Sequence, residues 1–300
     1  LTRRDEGALC LYLPGKKVPL MVVKRDGGYN YDTTDLAAAW YRTQKLGAQR
    51  IIYVTDVGQY PHFESIFQAA RLAGWAEHAR LDHVGFGLVL NENGERMKTR
   101  AGKSVKLMEL IDEARERAKR ELSARLEPEE EPKRRTQLSP AEFDAAAETL
   151  GVAAIKYFDL RQNRLQNYKL DFDVMLSQRG DTAVYLMYSF IRVCSILRRA
   201  EVDEAALRAA PFAFTHEQER VIARHLVRFD EVIEVVVEQL TLNRLCEFLY
   251  GLAAKVAESY AQYKVLGNEH SEQRLKLVLL VREAMALCFS LLGIKTIDRI

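Results

Sequence analysis

Hydrophobic positions in the first third of the chain come in short runs of the kind that form β-strands. Runs at 9–13 and 20–23, separated by Pro14 and Gly15, predict a hairpin. The run 51–54 is continuous and rich in β-branched residues. That pattern predicts a strand buried on both faces of a parallel sheet.

Helix-like segments separate these strands. Thr33 or Thr34 is predicted to cap a helix that runs to about residue 46, and a second helix is predicted at 63–73. Strand-like residues follow at 81–90. Because strands and helices alternate in this way in doubly wound folds, residues 1–104 are predicted to form part of a Rossmann-like parallel sheet.

From residue 105 onward the hydrophobic spacing is helical throughout. Ser139, Pro140 and Glu142 match a capping box with proline at the first helical position. An acidic stretch bounded by prolines, 127–132, is interpreted as a solvated linker. The predicted helices cover residues 105–126, 182–200, 216–239, 242–266 and 272–292.

These patterns predict an α/β fold followed by an all-α fold. A partial parallel sheet (1–104) would be joined through a connecting helix and linker (105–135) to an antiparallel helical bundle (136–300). The first residue is Leu1, not Met, so the sequence is expected to begin within a longer protein.

Composition excludes several classes of protein. With 48% hydrophobic and 29% charged residues among 300, the chain is globular, and its net charge of +2 means that any nucleic-acid surface would be local. The four cysteines form no CxxC pair, which disfavours a zinc site or a disulfide framework and fits a reducing compartment. The apolar runs are too short for a membrane span.

Two polar clusters follow elements of the predicted sheet. Residues 31–35, YDTTD, open a helix, and residues 56–59, DVGQ, follow the strand 51–54. A carboxylate, a phenol and an amide that meet at the carboxyl edge of such a sheet suit a planar cationic ligand such as a guanidinium. The alternative interpretation is that Asp35 only complements the helix dipole.

A basic segment follows the last predicted strand. Residues 95–103 read ERMKTRAGK, and residues 96–120 hold nine Lys or Arg against four Asp or Glu. A basic loop beside a nucleotide-binding sheet is suited to stabilising a polyphosphate leaving group. An ordinary solvated basic turn is the alternative.

The helix predicted from Asp181 or Thr182 carries aromatic and basic residues on one stripe. Such a stripe is suited to stacking on bases and pairing with phosphates, although half-buried tyrosines with polar tips are an equally good interpretation. The stripe consists of Tyr185, Tyr188, Arg192, Ser195 and Arg199.

His62 and His83 lie near the predicted pocket, where a histidine is more often packed or capping than catalytic. The sequence has no Ser-His-Asp or Cys-His arrangement, which disfavours covalent hydrolase chemistry.

Several long motifs, in order, resemble arginyl-tRNA synthetase, a class I enzyme. They are DGGYNYDTTDLAAAWYR, RIIYVTDVGQYPHFESIFQAARLAGW, HVGFGLVL, RMKTRAGKSVKLMELIDEA, AVYLMYSFIRVCSILRRAE and LLGIKTIDRI. The resemblance covers nearly the whole chain. It implies that residues 1–25 end an insertion in the catalytic domain and that 136–300 is an anticodon-binding domain.

The resemblance also implies roles for particular residues. Tyr31, Asp35 and Gln59 would bind arginine, with Asp35 facing the guanidinium, and His83, Gly85 and Gly87 would line the adenosine pocket. Arg96, Met97, Lys98, Thr99 and Arg100 match the position of the KMSKS signature, which acts at the pyrophosphate end of ATP. Asp181, Thr182 and the stripe that follows them would contact tRNA.

The match has departures. Thr99 stands at the second lysine of KMSKS, the HIGH motif does not occur in this sequence, Asp181 replaces a usual Asn, and Ile300 replaces a usual Met. The expected function is arginine–tRNA ligase, with ATP and Mg²⁺ as substrate, arginine and tRNA as partners, and no resident metal. A cytoplasmic monomer is expected, with an organellar form left open.

Two other functions stay open: a tRNA-binding fragment without activity, and another class I synthetase such as the cysteine enzyme. The fragment alone is expected to be inactive because the HIGH half is absent from it. The cysteine enzyme would need a Cys/His cluster for zinc, and the sequence has none.

Overall fold

Two apolar runs near the start of the chain pair as the hairpin predicts. In a computed structural model, which describes residues 1–91, 93–95, 106–126 and 138–299, β2 (Ala8–Leu11) is the antiparallel partner of β3 (Leu20–Val23). A further strand, β1 (Thr2–Asp5), pairs with β2 through Glu6 and Gly7, whose positive φ values are typical of tight hairpin turns. The sequence does not predict β1 because its residues, TRRD, are all polar.

The predicted parallel pair is also present. β4 (Arg50–Asp56) lies parallel to β5 (Arg80–Phe86), and α2 (Tyr60–Leu72) connects them. The expectation that this strand is buried on both faces is wrong. Ile51 and Tyr53 are buried, whereas Ile52 and Val54 are 44% and 63% exposed. The core beneath β4 contains side chains of α1 and α2, and successive strand residues point to opposite faces, so alternate residues are exposed.

Helix α1 (Tyr31–Trp40) starts earlier than its sequence predicts. Its cap is Asn30, not Thr33 or Thr34, because the Asn30 side chain accepts hydrogen bonds from the backbone N–H groups of Asp32 (3.1 Å) and Thr33 (3.4 Å). The Thr33 hydroxyl donates instead to the Val22 carbonyl. A π-helical turn, Tyr41–Lys45, continues the helix up to Gly47, whose φ is 63°.

The strand predicted at 81–90 divides at Gly87. A Cβ on Gly87 would lie 2.5 Å from the Gln166 carbonyl oxygen, and the Leu88 backbone N–H donates to Asn167 Oδ1 at 2.7 Å. The close approach of this segment requires glycine. Beyond it, β6 (Val89–Leu90) pairs in parallel with β7 (Tyr168–Lys169).

The remainder of the described chain is mainly helical. One predicted helix, 216–239, is wrong as a single element, because it breaks at Val227 and Arg228. Ser139 caps α4 with the predicted capping box, in which its hydroxyl accepts from the Glu142 N–H and the Glu142 side chain accepts from the Ser139 N–H. The helices are α3 (Leu107–Leu126), α4 (Pro140–Leu160), α5 (Phe172–Met175), α6 (Ala183–Ala200), α7 (Glu204–Ala209), α8 (Glu217–Leu226), α9 (Phe229–Gln239), α10 (Asn243–Gln262) and α11 (Ser271–Leu291).

The chain divides into two compact units. The first comprises Leu1–Leu88 with Leu165–Asn167, and the second comprises Val89–Arg164 with Tyr168–Ile300. Each unit has its own core: Ile66 and Ala70 are fully buried in the first, and Tyr157, Leu249 and Phe289 in the second. The predicted domain bounds at 104 and 135 stay a prediction.

In the described ranges, none of the helices combines the length and the apolar character that crossing a lipid bilayer requires.

Candidate functional site

The histidine of the first turn of α2 joins two carboxylates of α1. His62 Nε2 lies 2.7 Å from Asp35 Oδ2, and His62 Nδ1 lies 3.3 Å from Asp32 Oδ1. Asp32 is in turn fixed by the Met21 backbone N–H, which donates to Oδ2 at 2.8 Å. Asp35 therefore does more than complement a helix dipole, because its carboxylate is paired to a neighbouring element.

The other residues predicted to bind the cation are at the N-terminal ends of the same two helices. The Tyr31 ring meets the His62 imidazole edge-on, with 5.0 Å between ring centroids. Gln59 is the cap residue of α2, one turn before His62, and its side chain is exposed. The structure thus brings Tyr31 and Asp35 to one imidazole, while no contact from Gln59 to either of them is described.

His83 lies on β5 in a largely apolar environment. Its ring stacks on Phe63 at 5.1 Å between centroids, and its Nε2 lies 2.7 Å from the Thr55 hydroxyl. Burial lowers the pKa of the His83 imidazole because the charged form loses hydration. The ring is therefore suited to a neutral role as a flat wall or hydrogen-bond partner.

The two glycines predicted beside the nucleotide are both tightly packed. A Cβ on Gly85 would lie 3.1 Å from Val57 Cα, and Gly87 has the contacts with residues 166 and 167 given above. These glycines let backbone segments approach closely. That is a structural reason for glycine at both positions, whatever else they do.

The predicted phosphate loop lies outside the described part of the chain. Arg96, Met97, Lys98, Thr99 and Arg100 lie outside the described residues, as does the acidic linker at 127–132.

In the helical unit, the predicted stripe on α6 is partly engaged with α10. Tyr185 meets Tyr250 edge-on at 5.8 Å, and the Arg192 guanidinium lies 4.1 Å above the Tyr260 ring. Tyr185 and Tyr188 are half-buried, whereas Arg192 and Arg199 are exposed. The stripe therefore combines tyrosines that pack on the core with arginines that face solvent.

Asp181 and Thr182 both have structural tasks. The Tyr157 hydroxyl donates to Asp181 Oδ1 at 2.5 Å, and Arg161 donates to the Asp181 carbonyl at 2.5 Å. Thr182 is the cap of α6, where its hydroxyl accepts from the Tyr185 N–H at 3.1 Å. The sequence predicts Asp181 or Thr182 as this cap, and the structure selects Thr182. The sequence does not predict the Asp181 contacts, whose partners lie 20 or more residues away.

His62 was not identified from the sequence as part of the candidate site. The spacing from Gln59 could have indicated it, because residues i and i+3 at the start of a helix lie on the same face. The pairing with Asp35 is not readable from that spacing. Among the described residues there is no group of three or more His, Cys, Asp or Glu side chains arranged to hold a metal ion.

Two family models match the chain. The first is described as tRNA synthetases class I (R), catalytic domain, over residues 1–172, and the second as the DALR anticodon binding domain, over residues 186–300.

Curated relatives match over the full chain. The chain is 44% identical to the chloroplastic/mitochondrial arginine–tRNA ligase of Arabidopsis thaliana, with 100% of this chain and 47% of that protein covered. It is 42% identical to the cytoplasmic arginine–tRNA ligase of the same plant, with 100% and 51% covered. The chain thus spans about half the length of these relatives.

A solved structure agrees with the sequence matches. The crystal structure of arginyl-tRNA synthetase from Plasmodium falciparum superposes with a TM-score of 0.87 at 36% identity, covering 100% of this chain and 50% of that one. The mixed fold, a parallel strand pair and a helical region, is the fold of this neighbour.

Proposed function

Because the chain belongs to the arginine family of class I tRNA synthetases, we propose that the intact protein is an arginine–tRNA ligase. The observation that carries the proposal is the Asp35 carboxylate, which lies with Tyr31 and His62 at the N-terminal ends of α1 and α2. A partly exposed carboxylate beside an aromatic ring matches a guanidinium, which is cationic and flat.

The reaction proposed has two steps. The carboxylate oxygen of arginine attacks the α-phosphorus of ATP, the bond to the β-phosphate oxygen breaks, and pyrophosphate leaves. A terminal ribose hydroxyl of tRNA then attacks the carbonyl carbon of arginyl-adenylate, loses its proton, and releases AMP. No side-chain nucleophile is needed, so catalysis is positioning together with stabilisation of phosphate charge.

Each group of residues has one task in this proposal. Tyr31, Asp35 and Gln59 would hold the arginine side chain, and His83 with Gly85 and Gly87 would line the adenosine pocket. The segment 96–100 would stabilise the leaving pyrophosphate, with Mg²⁺ arriving on ATP as part of the substrate. The residues 181–199 would contact tRNA. Monomeric state and cytoplasmic location are further proposals from the resemblance.

A narrower function is proposed for the 300 residues by themselves. The chain spans about half of its curated relatives, so we expect it to be inactive alone and to retain weak tRNA binding through α6. The exposed Arg192 and Arg199 favour this second function.

The deciding test is ATP–pyrophosphate exchange by the intact protein with tRNA present. Arginine should drive the exchange and the other amino acids should not. Exchange driven by another amino acid, such as cysteine, would overturn the assignment.

Asp35→Ala should raise the KM for arginine far more than the KM for ATP. The cation loses its partner, so the KM for arginine should rise on the order of 100-fold, while the KM for ATP should change by less than about 3-fold. Glu77→Ala, at an exposed carboxylate of the same unit, is the matched control and should change neither. Equal effects of Asp35→Ala on both KM values would mean that Asp35 has only a structural role.

A further inference from the structure

His62 lies within a connected row of polar groups. The row runs from the Met21 N–H to Asp32 Oδ2 (2.8 Å), from Asp32 Oδ1 to His62 Nδ1 (3.3 Å), and from His62 Nε2 to Asp35 Oδ2 (2.7 Å). The exposed fraction of the side chains rises along it, from 9% for Asp32 through 17% for His62 to 33% for Asp35. The row therefore starts at a fixed backbone group and ends at the most accessible carboxylate.

The imidazole has little freedom to leave this position. Tyr31 meets it edge-on at 5.0 Å on one side, and Phe63 meets it edge-on at 5.1 Å. His62 is also on the first turn of α2, so its backbone is held by a regular element. Because the imidazole is held in place, the Asp35 carboxylate that its Nε2 contacts is held in one orientation too.

The contact leaves one oxygen of Asp35 for a ligand. Nε2 engages Oδ2, and among the described residues no hydrogen bond to Oδ1 is found. Because an ionised carboxylate can only accept, the hydrogen bond to Oδ2 is one that Nε2–H donates. The Oδ1 atom of Asp35 is then the one left to accept from a cationic ligand.

Two further titratable groups, Glu64 and His83, have separate partners. Glu64, on the same helix, forms an ion pair with Lys16. His83 of β5 lies beyond the Phe63 ring, on which it stacks. The charge that faces His62 therefore comes from α1.

We propose that His62 is a positioning residue that orients the Asp35 carboxylate toward a guanidinium and so makes the site select a cationic side chain over its neutral isostere. The proposal rests on the proposed function, because it takes Asp35 as the group that binds arginine. It adds a residue that acts through Asp35 without touching the substrate.

The test is equilibrium binding of arginine, and of the neutral isostere citrulline, to the intact protein. His62→Phe keeps a ring between Tyr31 and Phe63 but has no N–H to donate. We expect it to weaken arginine binding by about 10-fold and citrulline binding by less than about 2-fold, because a hydrogen bond to a charged group is lost. His62→Gln, which retains a donor, should recover most of the arginine affinity.

A double-mutant cycle separates this role from a general structural one. His62→Phe should have no further effect in an Asp35→Asn background, because its action passes through the Asp35 charge. Additive losses, or equal losses for arginine and citrulline, would overturn the proposal. Thermal unfolding of each variant identifies any that fail to fold. If His62→Phe is one of them, His62→Leu, which also has no N–H to donate, takes its place in the cycle.

The experiment also distinguishes the two proposals. If Asp35→Asn binds arginine as well as the unmodified protein does, the arginine site itself is wrong. If Asp35→Asn weakens binding and His62→Phe does not, the arginine site stands and the role of His62 is wrong.

Discussion

Tyr157 is buried and Tyr260 is half-buried with a buried hydroxyl, and the two hydroxyls have different surroundings. The Tyr157 hydroxyl donates to Asp181 Oδ1 at 2.5 Å and lies 3.2 Å from the Cys246 carbonyl oxygen. The Tyr260 hydroxyl has no hydrogen-bond partner within the described ranges. Burial raises the pKa of Tyr260 to about 12 because a phenolate there would lose its hydration. The same chemical group is thus stabilising at one site and a cost at the other.

The two hydroxyls make a matched pair for mutation. Tyr157→Phe should lower the free energy of unfolding by about 1–3 kcal/mol, because Asp181 loses its donor inside the bundle. Tyr260→Phe should change it by less than about 0.5 kcal/mol or raise it, because no bond is lost. Urea unfolding of both variants measures the difference. Equal losses would show that the Tyr157 hydrogen bond contributes nothing beyond burial.

A residue's contacts could be predicted from the sequence only where the partner lies a few residues away along the chain. The Thr182 cap accepts from the N–H three residues later, so a local pattern narrows this cap to Asp181 or Thr182. Asp181 meets Tyr157 and Arg161, and Asp35 meets His62, across 20 or more residues. Only the fold brings these residues together, so their contacts were not predictable from spacing.

For helices and strands, too, local signals were predictable from the sequence and long-range contacts were not. The Ser139–Glu142 box is a local signal, and the structure confirms it. The break between α8 and α9 has no glycine or proline to signal it. Likewise, an apolar run such as 51–54 predicts a strand but not which of its faces is buried. Burial of each face depends on the elements that pack against it.

The contact between α3 and α4 gives a test of packing at the scale of elements. A Cβ on Gly151 would lie 2.9 Å from Arg115 Cα and 2.9 Å from its N, which are backbone atoms that cannot turn aside. Gly151→Ala should therefore cost about 1–3 kcal/mol of stability, although alanine is the better helix former by about 1 kcal/mol.

Thr149→Ala, two residues earlier in the same helix, is the control. Thr149 is half-buried, and alanine should be neutral or stabilising there by a few tenths of a kcal/mol. Thermal unfolding of the two variants decides the point. A stabilised Gly151→Ala protein would mean that the two helices can move apart at little cost.

For the molecule as a whole, the net charge says little about nucleic-acid binding, because the positions of the individual charges decide it. The net charge of +2 gives no general attraction to nucleic acid. Many exposed arginines of the helical unit are paired, as Arg224 is with Glu217 at 2.6 Å. Arg192 and Arg199 differ, because both are exposed on α6 seven residues apart and Arg192 lies over an aromatic ring. On the proposed tRNA surface, these two arginines are the ones that we expect to meet phosphates.

Binding of tRNA to the 300-residue chain should therefore depend on salt through few charges. Between about 50 and 200 mM salt the affinity should fall, and replacing Arg192 and Arg199 by Ala should reduce the slope of log K against log salt by about 0.7–0.9 for each phosphate that is no longer neutralised. Arg224→Ala should leave the slope unchanged because that arginine already has a carboxylate partner. Fluorescence anisotropy with labelled tRNA provides the measurement. A salt-independent affinity, or an equal effect of Arg224→Ala, would contradict a tRNA surface on α6, because counterion release is what phosphate pairing must produce.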